Sequence, residues 1–351
     1  MLYIVLSKCK NMNGIFLPMT TFSKDELYPL LFEPMYRRTS WGGVKLARVL
    51  GRELPAEEGR FGEAWDICDR EGAESVILNG PLAGKTLHEF CMMLGPSYLI
   101  GDMTRETRFP LLVKIIDTGE RIPLQVNPDE NAARRIGNGA EPKTKMWYVL
   151  DAEPGTKIMV GIRANATRHS FLELLSTPDV EGLLQSFDAV AGDAYFVNAG
   201  RVHCIDAGNM VLEIQQNSNT DILLNDWGHP DPDQELHVEE GLRCIDFIDR
   251  TPARITGVSD KAARNRKYAI INRCPQFHCD ELRLVGDWPD TTRSTRSFHL
   301  LTAISGPVDV EVRGEVTTIP RCMTALLPAA IGDYVIRVKP SAPVTLIRTT
   351  H

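Results

Sequence analysis

The sequence predicts a mainly β protein, a sandwich or jelly roll. Short strand-like runs recur at regular spacing, Gly, Pro and Asp turns separate them, and the few helical patterns do not alternate with strands as βαβ winding requires. Early in the chain, "KTLHEFCMML" places Leu87, Phe90, Cys91 and Leu94 on one helical face. "SFLELLSTPDVEGLLQSF" (170–187) reads as two short helices broken at Thr177-Pro178, and "DPDQELHVEEGLRCIDFI" as a further helix with an acidic start. "KMWYVLDA", "KIMVGI", "DAYFVNAG", "NMVLEIQQ" and "DILLNDW" read as strands. After "DFIDRTPARITGVSD" the pattern is wholly β.

The chain has 351 residues, 43% of them hydrophobic, enough for one large core or two moderate ones. A formal net charge of -7 argues against nucleic-acid and anionic-membrane partners, but leaves small anionic substrates open. Eight dispersed cysteines with no CxxC pair suggest a reducing cytoplasm. Cys274 and Cys279 flank His278, but one such cluster is too little for a zinc module. No run reaches the roughly 18 apolar residues needed to span a bilayer. The expected organisation is an N-terminal lead (1–28), a first domain (29–254) with a helical insert at about 164–190, and a C-terminal β domain (255–351).

Several ordered segments carry a family resemblance: "EPMYRRTSWGGVKL", "GEAWDIC", "NGPLAGKTLHEF", "FPLLVKIIDTGERIPLQVNPDE", "KTKMWYVLDAEPG" and "GDAYFVNAGRVHCIDAGNMVLEIQQNSNTDILLNDWG". Together they resemble the short bacterial phosphomannose isomerases. That resemblance implies a cupin jelly-roll barrel with helical insertions, followed by a smaller cupin-like β domain. It implies a mannose 6-phosphate/fructose 6-phosphate aldose–ketose isomerase, with zinc as cofactor and a small sugar phosphate as ligand. The family's zinc sits on a Gln-x-His pair, a Glu from the next strand and a late His. By position these fall on Gln125, Asn127, Lys145 and His203.

Two ligand positions are therefore retained (Gln125, His203) and two substituted (Asn127, Lys145). The family's lysine two residues before the metal Glu is kept as Lys143, and the later acid as Glu213; both are expected in catalysis. Lys114 and Lys145 are expected to touch substrate. Leu223 occupies the family's catalytic-arginine position in "TDILLNDW". An ammonium repels zinc and an amide oxygen is a weak zinc donor, so no zinc is expected here, and standard activity is expected to be reduced or lost.

Two readings of Lys145 stand side by side. In one, its ammonium takes the metal's place, held by the amide oxygens of Gln125 and Asn127; in the other it reaches out to water after function was lost. Two non-catalytic roles accompany them: a sugar-phosphate-binding cupin, or the partner of an active paralogue. Trp41, Trp65 and Trp147 are expected to pack the barrel.

Overall fold

The computed structural model describes residues 23–351 except 57–58, 102–106, 232–233, 256–257, 260–264, 272–273 and 340. Most of the expected lead lies outside the described residues. Leu27, however, is 2% exposed and belongs to the main core, so packing begins before residue 29.

Alternation of side chains along extended backbone builds the first domain. A seven-stranded antiparallel sheet runs in the order Met35–Gly43, Phe61–Ile67, Leu111–Asp117, Asn209–Gln216, Lys145–Ala152, Ala194–Val197, Arg254–Ile255. A five-stranded sheet runs Ile222–Asn225, Leu124–Val126, His203–Ile205, Lys157–Ile162, Leu184–Asp188. Val211, Val149 and Ile116 join Val126, Val160 and Ile205 in one core, which marks these residues as the inward set. Their neighbours Leu212, Ile214, Met146, Tyr148 and Val113 belong instead to a core shared with Leu282, Leu300 and Leu346 of the C-terminal domain. The long strands are thus apolar on both faces, one toward the barrel interior and one toward the second domain.

That second domain pairs a six-stranded sheet (Val258–Ser259, Arg266–Ile271, His278–Leu284, Val344–Thr350, His299–Ala303, Thr324–Leu327) with a four-stranded one (Trp288–Thr291, Asp333–Arg337, Val308–Val312, Glu315–Ile319). The Tyr148 hydroxyl donates to Glu281 across the domain junction at 2.9 Å.

Local signals placed three of the seven α-helices among the described residues, Leu87–Leu94, Arg168–Leu174 and Val238–Cys244. Thr86 and Glu89 close a capping box on Leu87–Leu94. The expected insert is only partly helical: Arg168–Leu174 is α and Pro178–Leu183 a 3-10 turn, but Leu184–Asp188 is the edge strand of the five-stranded sheet. Pairing with Lys157–Ile162 satisfies its backbone there, which local periodicity cannot foresee. Among the described residues, the helix expected from the acidic "DPDQELHVEEGLRCIDFI" stretch spans Val238–Cys244, without a side-chain cap. A short helix, Glu130–Ile136, starts at Asp129, whose carboxylate accepts from the Ala132 N–H.

Candidate functional site

Period-two alternation decides which polar residues face the barrel interior. Lys114 shares the inward face of its strand with Ile116, Glu213 with Val211, and Lys145 and Trp147 with Val149. Register then brings them together: Glu213 lies opposite Lys114 on one side and Trp147 on the other, and Gln215 opposite Lys145. On the facing sheet Gln125 pairs with both His203 and Leu223, so these three form one row. Asn127 follows directly on that strand and is buried.

The charged groups form a connected network. The Lys114 ammonium lies 2.7 Å from Glu63 and 3.1 Å from Glu213. Lys145 lies 3.4 Å from the other Glu213 oxygen and 3.8 Å from Asp221. Lys143 donates to both Asp221 oxygens at 2.8 Å. The Trp147 indole donates to Glu213 at 2.5 Å. Glu213 and Lys145 are 0% and 2% exposed, so neither charge is solvated by bulk water.

Burial by itself would push the Glu213 carboxyl up. Lys114, Lys145 and Lys143 outweigh it and hold the group down to about 2. Asp221 is held well below the carboxylate range in the same way, burial being overcome by Lys143 and Lys145. Lys143 is pulled down to about 8 by burial; Asp221 opposes this, while Lys145 and Lys114 add to it. Burial and then the Lys145 charge depress His203 to about 3, so its imidazole is neutral. Its Nδ1 lies 2.8 Å from the Arg201 carbonyl. A carbonyl cannot donate, so Nδ1 carries the proton and Nε2 is left as a bare acceptor without a hydrogen-bond partner.

The amide oxygens do not hold Lys145 as expected. Asn127 turns its amino group to the Thr220 carbonyl and to Asp221, each at 2.9 Å, and its oxygen has no hydrogen-bond partner. Carboxylates supply the ammonium's counter-charge instead. Three ammoniums meet three carboxylates, so the cluster is neutral, whereas counting only the four ligand positions leaves it positive. Nor does Lys145 reach bulk water, since it is buried.

Zinc does not fit this donor set. One bare imidazole nitrogen survives, but each nearby carboxylate is already engaged by an ammonium, and among the described residues no group of three or more His, Cys, Asp or Glu is placed to hold a metal. A dication added beside Lys145 would find no unpaired anion.

The network opens into a cavity of about 840 Å³. Lys114, Lys145, Gln125, Glu213, Asp221 and Leu223 line it, while Lys143 sits behind Asp221 and is not part of its wall. Trp147 packs the interior as expected, at 0% exposure. Trp41 and Trp65 instead form part of the cavity wall, and so does His237, for which no site role is foreseen from spacing. Asp221 escaped sequence reasoning, although it stands two residues before Leu223 and so shares its direction along the strand.

A two-sheet barrel with one interior polar site and a second β domain defines a cupin-type protein. Residues 30–154 match the family model of the phosphomannose isomerase type I catalytic domain. The mannose-6-phosphate isomerase of Streptococcus mutans is 32% identical over 312 residues, covering 87% of this chain and 94% of its own. A probable mannose-6-phosphate isomerase of Bacillus subtilis is 34% identical over 221 residues, 62% of this chain and 68% of its own. The crystal structure of the mannose 6-phosphate isomerase from Bacillus subtilis superposes with a TM-score of 0.81 at 25% identity, covering 92% of this chain and 99% of that one. This chain belongs to the phosphomannose isomerase family. Among the described residues no helix is long and apolar enough to cross a membrane.

Proposed function

We propose that this chain binds a sugar phosphate in its barrel and does not carry out the family's zinc-dependent isomerisation. The observation that carries this reading is Lys145, whose buried ammonium rests on Glu213 and Asp221 at the position expected for a metal ligand. Aldose–ketose isomerisation needs a base that takes a proton from carbon and a positive group that stabilises the enediolate oxygen. Of the carboxylates at the centre of the cavity, Glu213, held at about 2, is several units too weak a base at neutral pH, Asp221 is held well below the carboxylate range, and Glu63 is tied to Lys114 at 2.7 Å. Leu223 contributes neither charge nor proton. Ground-state binding asks less. Ammoniums, carboxylates and the Gln125 amide offer donors and acceptors for sugar hydroxyls and need no change of protonation state.

The test joins elemental analysis, a coupled isomerase assay on zinc-supplemented protein, and calorimetric titration with mannose 6-phosphate. Binding without stoichiometric zinc and without turnover supports the proposal. Turnover at a rate typical of enzymes, or one zinc per chain that is lost in His203→Ala, overturns it.

A further inference from the structure

The cavity has a second charged region that the interior network does not use. Arg37 and Arg38 both line it, from the edge strand of the seven-stranded sheet. Consecutive residues of a strand point to opposite faces, so Arg37 faces inward beside Glu63, while Arg38, exposed on the sheet edge, borders the cavity at its rim. Arg37 pairs with Glu63 and Arg38 with Phe61, so Gly62 is an extra residue and the ladder bulges between the two arginines. Only glycine fits there, since a Cβ on Gly62 would come within 2.1 Å of the Thr39 hydroxyl and 2.5 Å of the Trp41 ring.

Neither guanidinium forms an ion pair or hydrogen bond among the described residues. The other cations facing the cavity are committed: Lys114 and Lys145 to carboxylates, Arg70 to Glu141. Arg37 is nonetheless held in place. Its guanidinium lies 4.5 Å from the centre of the Trp65 ring, and the Trp65 indole donates to Glu63 at 2.7 Å. Its Nε is buried without a partner. An arginine stacked, partly desolvated and unpaired on a cavity wall is arranged for an anion that comes from outside the chain.

We propose that Arg37 and Arg38 form the phosphate clamp of this cavity, taking a phosphomonoester dianion in a fork while the sugar extends toward Lys114 and Gln125. This rests on the sugar-phosphate reading above. The spacing agrees with it: the Lys114 strand lies two strands inward from the Arg37 strand, about 10 Å at ordinary sheet spacing, comparable with the length of a six-carbon sugar phosphate. The two arginines therefore supply specificity, separating phosphorylated from free sugars.

Calorimetric titrations with mannose 6-phosphate, free mannose and inorganic phosphate, at fixed low salt, test the clamp. Wild type binds mannose 6-phosphate more tightly than mannose. Arg37→Gln and Arg38→Gln each weaken mannose 6-phosphate on the order of tenfold, the scale of one charge-assisted hydrogen bond, and leave mannose unchanged. The double variant loses the preference. Arg37→Lys recovers only part of it, because an ammonium cannot reproduce the fork or the stack. If Arg37→Gln fails to fold, Arg38→Gln, at an exposed position, carries the test. A double variant that keeps the wild-type preference overturns the clamp and leaves the sugar-phosphate reading standing. Wild type that binds inorganic phosphate through the arginines but ignores mannose 6-phosphate overturns that reading and keeps an anion clamp. Wild type that binds neither overturns both.

Discussion

Lys145→Met removes the ammonium at the centre of the network and keeps the apolar stem. Two ammoniums then face three carboxylates in a buried cluster. At 3.4 Å and 3.8 Å the lost attractions to Glu213 and Asp221 are about 5 and about 4 kcal/mol for an effective dielectric constant near 20. Release of the buried ammonium's desolvation penalty and of its repulsion with Lys143 offsets much of this. Removing one partner of an isolated buried pair costs about 3–5 kcal/mol. Here Glu213 keeps Lys114 and the Trp147 indole, and Asp221 keeps Lys143, so the expected loss is smaller, about 2 kcal/mol. For a domain of this size that lowers the melting temperature by roughly 4–8 °C. Differential scanning calorimetry of both proteins at pH 7 measures it. A change within about 0.5 kcal/mol, the level of an ordinary surface substitution, would refute the network as a set of mutually dependent charges.

Asp221→Asn should be more damaging, about 3 kcal/mol or more, because Lys143, 1% exposed, loses the carboxylate charge and one of the two oxygens it donates to; denaturant unfolding checks it. The triple substitution Asn127→His, Lys145→Glu, Leu223→Arg restores the family's ligands and arginine, and should give stoichiometric zinc and measurable mannose 6-phosphate isomerisation; a metal-free, inactive triple variant contradicts the proposed site. Stability should fall on acidification in two overlapping steps. His203 is depressed to about 3, so the unfolded chain takes up its proton first as pH drops below about 6.5. Glu213 is held at about 2, so its contribution is fully present above about 4.5 and lost as pH falls toward 2. Melting temperature against pH reads both steps, and His203→Gln should reduce the earlier one, the remainder coming from His299, which burial and then Arg348 depress to about 4. In Lys145→Met the imidazole pKa, followed by NMR, should rise, since the Lys145 charge helps to depress it.

The sequence alone determined many of the strands, the order of the motifs, and the positions of Lys114, Lys143, Lys145 and Glu213, but not of their partners Glu63 and Asp221. "KMWYVLDA" and "NMVLEIQQ" coincide with Lys145–Ala152 and Asn209–Gln216, because alternation and turn residues are local signals. Resemblance to the family's motifs singled out Lys143, Lys145, His203 and Glu213. Which group neutralises which is not local. Asp221 is 78 residues from Lys143 in sequence, and only the fold brings the pair to 2.8 Å. The same holds for Glu63 beside Lys114, 51 residues apart, and for Leu184–Asp188, whose helical pattern gave way to pairing with an open sheet edge. Arg37 and Arg38 make the point most directly. As sequence they are two neighbours on opposite faces of a strand, and only the assembled sheet, with that strand at its edge, brings both to the border of one cavity. Patterns along one chain segment fix direction and period, whereas charge pairing and cavity walls depend on register between segments, which no single segment encodes.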